Sequence, residues 1–146
     1  MKDGYGIEKS QIYNYIGNFV KDKKEGKGKI VYNILGDCYD GEFNNDSVIG
    51  YGVYSWNTGD VYTGYLKDGK MHGIGEYKWL NGNKYVGEYI YNVKQGKGKF
   101  YWNDGRIYDG EFFNGKIHGY GIMYKANKTY KVHFNEGKMI EKHKML

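Results

Sequence analysis

Residues 85–102 decide the fold: Tyr85-Val86-Gly87-Glu88-Tyr89-Ile90-Tyr91-Asn92-Val93-Lys94-Gln95-Gly96-Lys97-Gly98-Lys99-Phe100-Tyr101-Trp102. Tyr85, Gly87 and Tyr89 are spaced by two, so a strand puts all three on one face. Gly98, Phe100 and Trp102 repeat that period. Asn92 lies between the two runs, and Asn103-Asp104-Gly105 after them is a hairpin signal. The stretch reads as strand, loop, strand, turn. Glycine leaves strand backbone bare, so a neighbouring ring can lie across it.

The same unit recurs in both directions. Its first residue is Tyr15, Tyr39, Tyr62, Tyr85, Tyr108 and Tyr130, at spacings of 24, 23, 23, 23 and 22. Two residues later stand Gly17, Gly41, Gly64, Gly87 and Gly110, with Val132 in the last unit. Four residues after the tyrosine stand Phe19, Phe43, Leu66, Tyr89, Phe112 and Phe134; seven after it, Asp22, Asp46, Gly69, Asn92, Gly115 and Gly137. Gly-x-Gly pairs begin at Gly26, Gly50, Gly73, Gly96 and Gly119. Ile30 and Tyr32, Tyr54 and Trp56, Tyr77 and Trp79, and Phe100 and Trp102 follow at even steps, weakening to Met123 and Lys125.

A period of this length means stacked supersecondary units, each stabilised by its neighbours. The expectation is an all-β chain: an elongated, twisted, single-layer antiparallel meander of β-hairpins whose core is a spine of rings over glycines. The other face carries Glu42, Glu88, Glu111, Lys29, Lys78 and Lys99 and reads as wet, with the glutamates as cross-strand partners of lysines. The array spans 1–138, from a partial unit at 4–14 to a partial unit opening at Tyr130. Residues 139–146 leave the pattern and read as a tail or cap, with a short C-terminal helix as one form of it. Three readings of the ends stand side by side: sheet edges blunted by Lys138, Lys142 and Lys144, end-to-end self-association of complementary half-units, and a fragment of something longer.

Composition narrows the class. Gly is 24 of 146 residues, Tyr 18, Pro 0 and Cys 1. Abundant aromatics argue against disorder, and the glycines lack the collagen period. No apolar run approaches the ~20 residues of a membrane-spanning helix. The start, MKDGYGIEKS, has no apolar core of a secretory signal, and the lone Cys38 has no disulfide partner, so a cytoplasmic address is expected. Net charge is +5, yet Arg106 is the only arginine. That argues against nucleic-acid reading, where guanidinium forks contact guanine and phosphate.

Nothing assembles a catalytic centre. Gly64–Lys70 and Gly110–Lys116 imitate phosphate loops, but Met71 and Ile117 stand where Ser or Thr would hold magnesium. His72 and His118 occupy one repeat position, two units apart, which is too far for one metal ion; they read as structural. Cys38 reads as a plain thiol. Glu42, Glu88 and Glu111 are repeat equivalents, whereas a catalytic pair needs two acids made different by their surroundings. No catalytic, cofactor-binding or metal residue is assigned, and no enzymatic activity is expected.

The recurring Tyr-x-Gly-x-aromatic, loop, Gly-x-Gly and aromatic pair resemble the MORN (membrane occupation and recognition nexus) repeat family. The resemblance covers about residues 4–137, and Tyr85-Val-Gly-Glu-Tyr89 is close to ideal. It implies an extended β-sheet that serves as a binding or scaffolding module. Arrays of this kind occur in cytoskeletal and ciliary assemblies, at membrane junctions, and as accessory regions of lipid kinases and methyltransferases.

The leading functional expectation is a protein–protein scaffold holding an extended or helical partner segment on the Gly/aromatic face. Its candidate surface is Tyr62, Tyr77, Trp79, Tyr85, Tyr89, Phe100, Trp102 and Tyr108, since Tyr and Trp bury much area at low entropy cost; the alternative is that these rings are consumed as the internal spine. A second expectation is a peripheral contact with anionic phospholipid through Lys21, Lys23, Lys24, Lys27, Lys29, Lys94, Lys97 and Lys99. A third is an accessory module for an enzyme on another chain.

Overall fold

A computed structural model describes residues 1–146. The strands are β1 (Gly4–Lys9), β2 (Tyr13–Val20), β3 (Lys23–Tyr32), β4 (Cys38–Asn44), β5 (Ser47–Ser55), β6 (Val61–Lys67), β7 (Lys70–Lys78), β8 (Lys84–Ile90), β9 (Val93–Tyr101), β10 (Ile107–Phe113), β11 (Lys116–Lys125), β12 (Lys128–Asn135) and β13 (Lys138–Lys144). These thirteen strands follow one another in an open antiparallel meander, in sequence order, with no helix. The chain divides into two compact units, Met1–Met71 and His72–Leu146.

Glycine sets the register in both units. In the first, Gly6, Gly17, Gly28, Gly41, Gly52 and Gly64 pair successively across β1 to β6. In the second, Gly75, Gly87, Gly98, Gly110 and Gly121 do the same across β7 to β11, and Val132 ends the row. Over these bare rows lie the first-strand tyrosines. Tyr15, Tyr39, Tyr62, Tyr85 and Tyr108 are the largest fully buried side chains. Each hydroxyl donates to the carbonyl three residues on, as Tyr85 Oη does to Glu88 O at 2.8 Å. A Cβ on Gly98 would sit 2.6 Å from Tyr85 Cε2. The expected spine of rings over glycines is therefore the core.

Neighbouring units close each ring in. Tyr15 packs edge-on against Phe19 of its own strand and Phe43 of the next unit, at 5.1 and 5.2 Å. Tyr85 does the same with Tyr89 and Phe112, at 5.1 and 5.0 Å. Edge-to-face pairs at such distances contribute about 0.5–1.5 kcal/mol beyond area burial.

The loops within hairpins are two residues long with positive φ at both, as at Tyr91 (41°) and Asn92 (70°). That geometry matches the strand twist. Within each unit, such loops bond back to an earlier strand. Gly115 N donates to Lys94 O at 3.0 Å, and Gly69 N to Val48 O at 3.0 Å.

Three expectations need correction. The C-terminal tail is not a helix: Lys138–Lys144 forms β13, paired to β12 from Asn135↔Lys138 to Tyr130↔Lys144. Backbone pairing to β12 makes it a strand without any Gly/aromatic pattern, and every residue in it is exposed. Glu42 and Glu111 do lie cross-strand from Lys27 and Lys97, but no ion pair joins them, and Glu88 lies opposite Ile74. Glu88 accepts from Lys97 N at 3.0 Å and Glu42 from Tyr51 N at 3.1 Å, each beside a register shift in its hairpin; the lysines there meet Glu76 and Asp109 instead. That face is also less uniformly wet than its charges suggest, since exposed Tyr51 and Tyr65 pack edge-on at 5.5 Å.

Candidate protein-binding face

The aromatic face has two depths. Tyr62, Tyr85, Tyr89 and Tyr108 are buried, so this half of the candidate surface is interior. Tyr77, Trp79, Phe100 and Trp102, on the second strands and the turns that end them, stay half-buried. They form a continuous shelf, with ring centroids 4.5 Å apart for Tyr77–Trp79, 5.4 Å for Trp79–Phe100 and 4.8 Å for Phe100–Trp102. Arg106 lies over Trp102 at 4.8 Å.

The first unit has a matching shelf that the candidate residues omitted. Tyr54 and Trp56 are half-buried and in contact at 4.6 Å, and Tyr32 stacks beside Tyr54 at 6.5 Å. Their repeat positions match those of Tyr77/Trp79 and Phe100/Trp102, so the pattern could have named them. Tyr54 Oη also donates to the buried Asp37 at 2.9 Å, and Asn57 N donates to its other oxygen at 2.9 Å. Asp37 thus holds a turn, as Asn83 does by accepting from Asn103 N at 2.9 Å. Burial, and then the Asp37 carboxylate, push the Tyr54 phenol well above its ordinary pKa.

The lysines do not gather on one surface. Lys27 and Lys29 lie opposite Glu42 and Asp40 on the non-aromatic face. Lys97 and Lys99 lie there too, opposite Glu111 and Asp109, with Lys99 Nζ 3.1 Å from Asp109. Lys21 sits in a loop, and Lys23 pairs with Asp46 at 3.3 Å. Lys24 is buried on the aromatic face, so it is not a membrane contact. Its Nζ donates to Tyr13 Oη at 3.1 Å and lies 3.4 Å from Glu8 and 3.8 Å from Asp46. Burial opposes its charge, yet the hydrogen bond to Tyr13 and the acids around it raise its pKa. Lys94 also lies on the aromatic face, half-buried.

Glu8 anchors the Lys24 cluster. Hydrogen bonds from Lys2 and Tyr13, with the charge of Lys24, hold its pKa well below the usual carboxylate value, at about 2. A lowered carboxylate pKa adds stability above about pH 4.5, lost as pH falls toward 2. Acid titration followed by circular dichroism is expected to destabilise the wild type more than Glu8→Gln across that window. Parallel losses in the two proteins would show that Glu8 is uncoupled from folding.

His72 and His118 fasten loops, in a way the spacing did not reveal. His72 Nδ1 accepts from Tyr91 N at 3.3 Å and His118 Nδ1 from Glu136 N at 3.0 Å. Glu25 and Gln95 do the same for Asn45 N and Asn114 N, at 2.8 and 3.0 Å. All four stand ten residues after a unit's tyrosine and fasten the next hairpin loop. Cys38 is an unbridged, half-buried thiol whose pKa is raised, chiefly by burial.

The family model described as the MORN repeat matches residues 15–34, 39–61, 62–84, 85–105 and 108–130. Its boundaries fall on the tyrosines that open the buried spine, and together the five matches cover most of the sequence. The chain belongs to the MORN repeat family.

Proposed function

We propose that this chain is a non-catalytic scaffold that holds a segment of another protein on its half-buried aromatic shelf. The observation that carries the reading is the split in depth. The fold consumes the first-strand rings, whereas Tyr77, Trp79, Phe100 and Trp102 keep accessible surface on the same face. Half-exposed Trp and Tyr on a rigid sheet are suited to interface anchoring. A sheet face of this kind fits an extended or helical segment as part of a larger assembly, cytoskeletal or membrane-associated among them. The division of the lysines between two faces disfavours a lipid-binding patch as the primary role, and no helix is long and apolar enough to cross a membrane.

Capture from native extract by the wild type and by a Trp79→Ala/Trp102→Ala variant tests this, with anionic vesicles sedimented in parallel. A protein retained by the wild type and lost from the folded variant is the expected result. Equal retention by both, or binding of vesicles alone, would overturn the reading.

A further inference from the structure

Seven positions in the chain open a second strand of the repeat: Lys2, Lys24, Val48, Met71, Lys94, Ile117 and Met139. Four of these are apolar, and three of them, Val48, Met71 and Ile117, are half-buried beside the spine. The three lysines are exceptions, and at the two that are partly desolvated, Lys24 and Lys94, a cation requires a counter-charge. Lys2 pairs with Glu8, and Lys24 lies between Glu8 and Asp46. Lys94 makes no such pair, and no carboxylate lies within 4 Å of its Nζ. Aromatic rings surround it instead: Trp79 at 5.0 Å, Tyr85 at 5.6 Å and Phe100 at 5.9 Å.

The repeat explains the missing acid. Glu8 stands two residues after the Gly-x-Gly of β1; the matching residue ahead of Lys94 is Tyr77, two after Gly75. Ring faces attract an ammonium but leave its charge uncancelled. Burial accordingly lowers the Lys94 pKa with no acid to hold it up, whereas that of Lys24 is raised.

We propose that Lys94, caged by Trp79, Tyr85 and Phe100, binds the carboxylate of an aspartate or glutamate in the partner segment laid across this face. The proposal rests on the shelf being a protein-binding surface, and it names the partner's chemistry: an acidic side chain flanked by apolar ones. The Glu8–Lys24 contact of the first unit is the same interaction made within the chain. A charge-assisted contact shielded by rings supplies specificity as well as affinity, since a partner lacking the acid leaves the ammonium unpaired.

Selection of a displayed random dodecapeptide library on the full chain tests it, using the wild type, Lys94→Met and Trp79→Ala. Methionine occupies the same repeat position at Met71 and Met139, so Lys94→Met is compatible with the fold. Peptides from the wild type are expected to carry Asp or Glu among apolar residues. On Lys94→Met the acidic preference disappears while the apolar one stays, and individual acidic peptides bind on the order of tenfold more weakly. An acidic preference equal on both proteins, or none on either, would overturn the role of Lys94 and leave the shelf standing. Peptides selected by the wild type and bound equally by Trp79→Ala would overturn the shelf itself. Sedimentation with phosphatidylserine vesicles that is lost in Lys94→Met would overturn the carboxylate assignment in favour of lipid phosphate.

Discussion

Replacing Tyr85 by alanine is expected to lower the stability of the unit His72–Leu146 by about 3–5 kcal/mol, the range for truncating a fully buried large aromatic. Tyr85 is 0% exposed. Its ring spans the Gly87–Gly98 pair and is held edge-on by Tyr89 and Phe112. Truncation removes both ring contacts and the hydroxyl's bond to Glu88 O, and opens a hole between backbones that cannot close without breaking register. Tyr85→Phe keeps the ring and is expected to cost about 1 kcal/mol, the net value of one hydrogen bond. Urea unfolding followed by circular dichroism measures both variants. Because repeat arrays are stabilised through neighbours, hydrogen exchange in the Tyr85→Ala protein should rise first in β8 to β10. Losses of similar size from the two variants would mean that the hydroxyl, rather than the ring, carries the packing.

Gly98→Ala carries the second-largest expected effect, about 3 kcal/mol, through overpacking. The added methyl would lie 2.6 Å from both Tyr85 Cε2 and Tyr85 Oη. The ring has little room to retreat: Tyr89 and Phe112 hold it edge-on, its hydroxyl is bonded to Glu88 O, and a Cβ on the paired Gly87 would meet Tyr85 Oη at 2.6 Å as well. Ring and sheet are thus already in contact along the whole pair. Gly6→Ala is the matched control: its methyl would meet Phe19 at an ordinary 3.6 Å, so a change within about 0.5 kcal/mol is expected. Thermal or urea unfolding compares the pair, and similar losses at Gly6 and Gly98 would point to backbone entropy rather than to the ring.

These two residues also show how far the sequence could be read. Tyr85, Gly87 and Gly98 recur at fixed positions, so the meander of hairpins and the ring-over-glycine core are legible from spacing alone, whereas the Gly-to-Gly register appears only in the structure. Depth was not. Period two places Tyr85 and Trp79 on the same face, but only the packing of Phe112 over Tyr85 decides which ring is covered. The loop-fastening position leaves no pattern in the sequence because its residue type varies between Glu25, His72, Gln95 and His118, which share only an acceptor atom. β13 lacks the Gly/aromatic signal because all its residues are exposed; its backbone bonds to β12 make it a strand. The lysines were grouped by nearness in sequence, whereas alternation sends Lys94 to one face and Lys97 and Lys99 to the other.

The central claim is that one sheet face carries a buried structural row and a half-buried binding row. Hydroxyl-radical footprinting of the full chain, alone and with a captured partner, tests it most directly. The account predicts oxidation of Tyr77, Trp79, Phe100 and Trp102 in the chain alone, protection of these four in the complex, and little oxidation of Tyr85, Tyr89 or Tyr108 in either. Equal oxidation of Tyr85 and Trp79 in the chain alone, or a complex that leaves Trp79 and Trp102 as reactive as before, would contradict it.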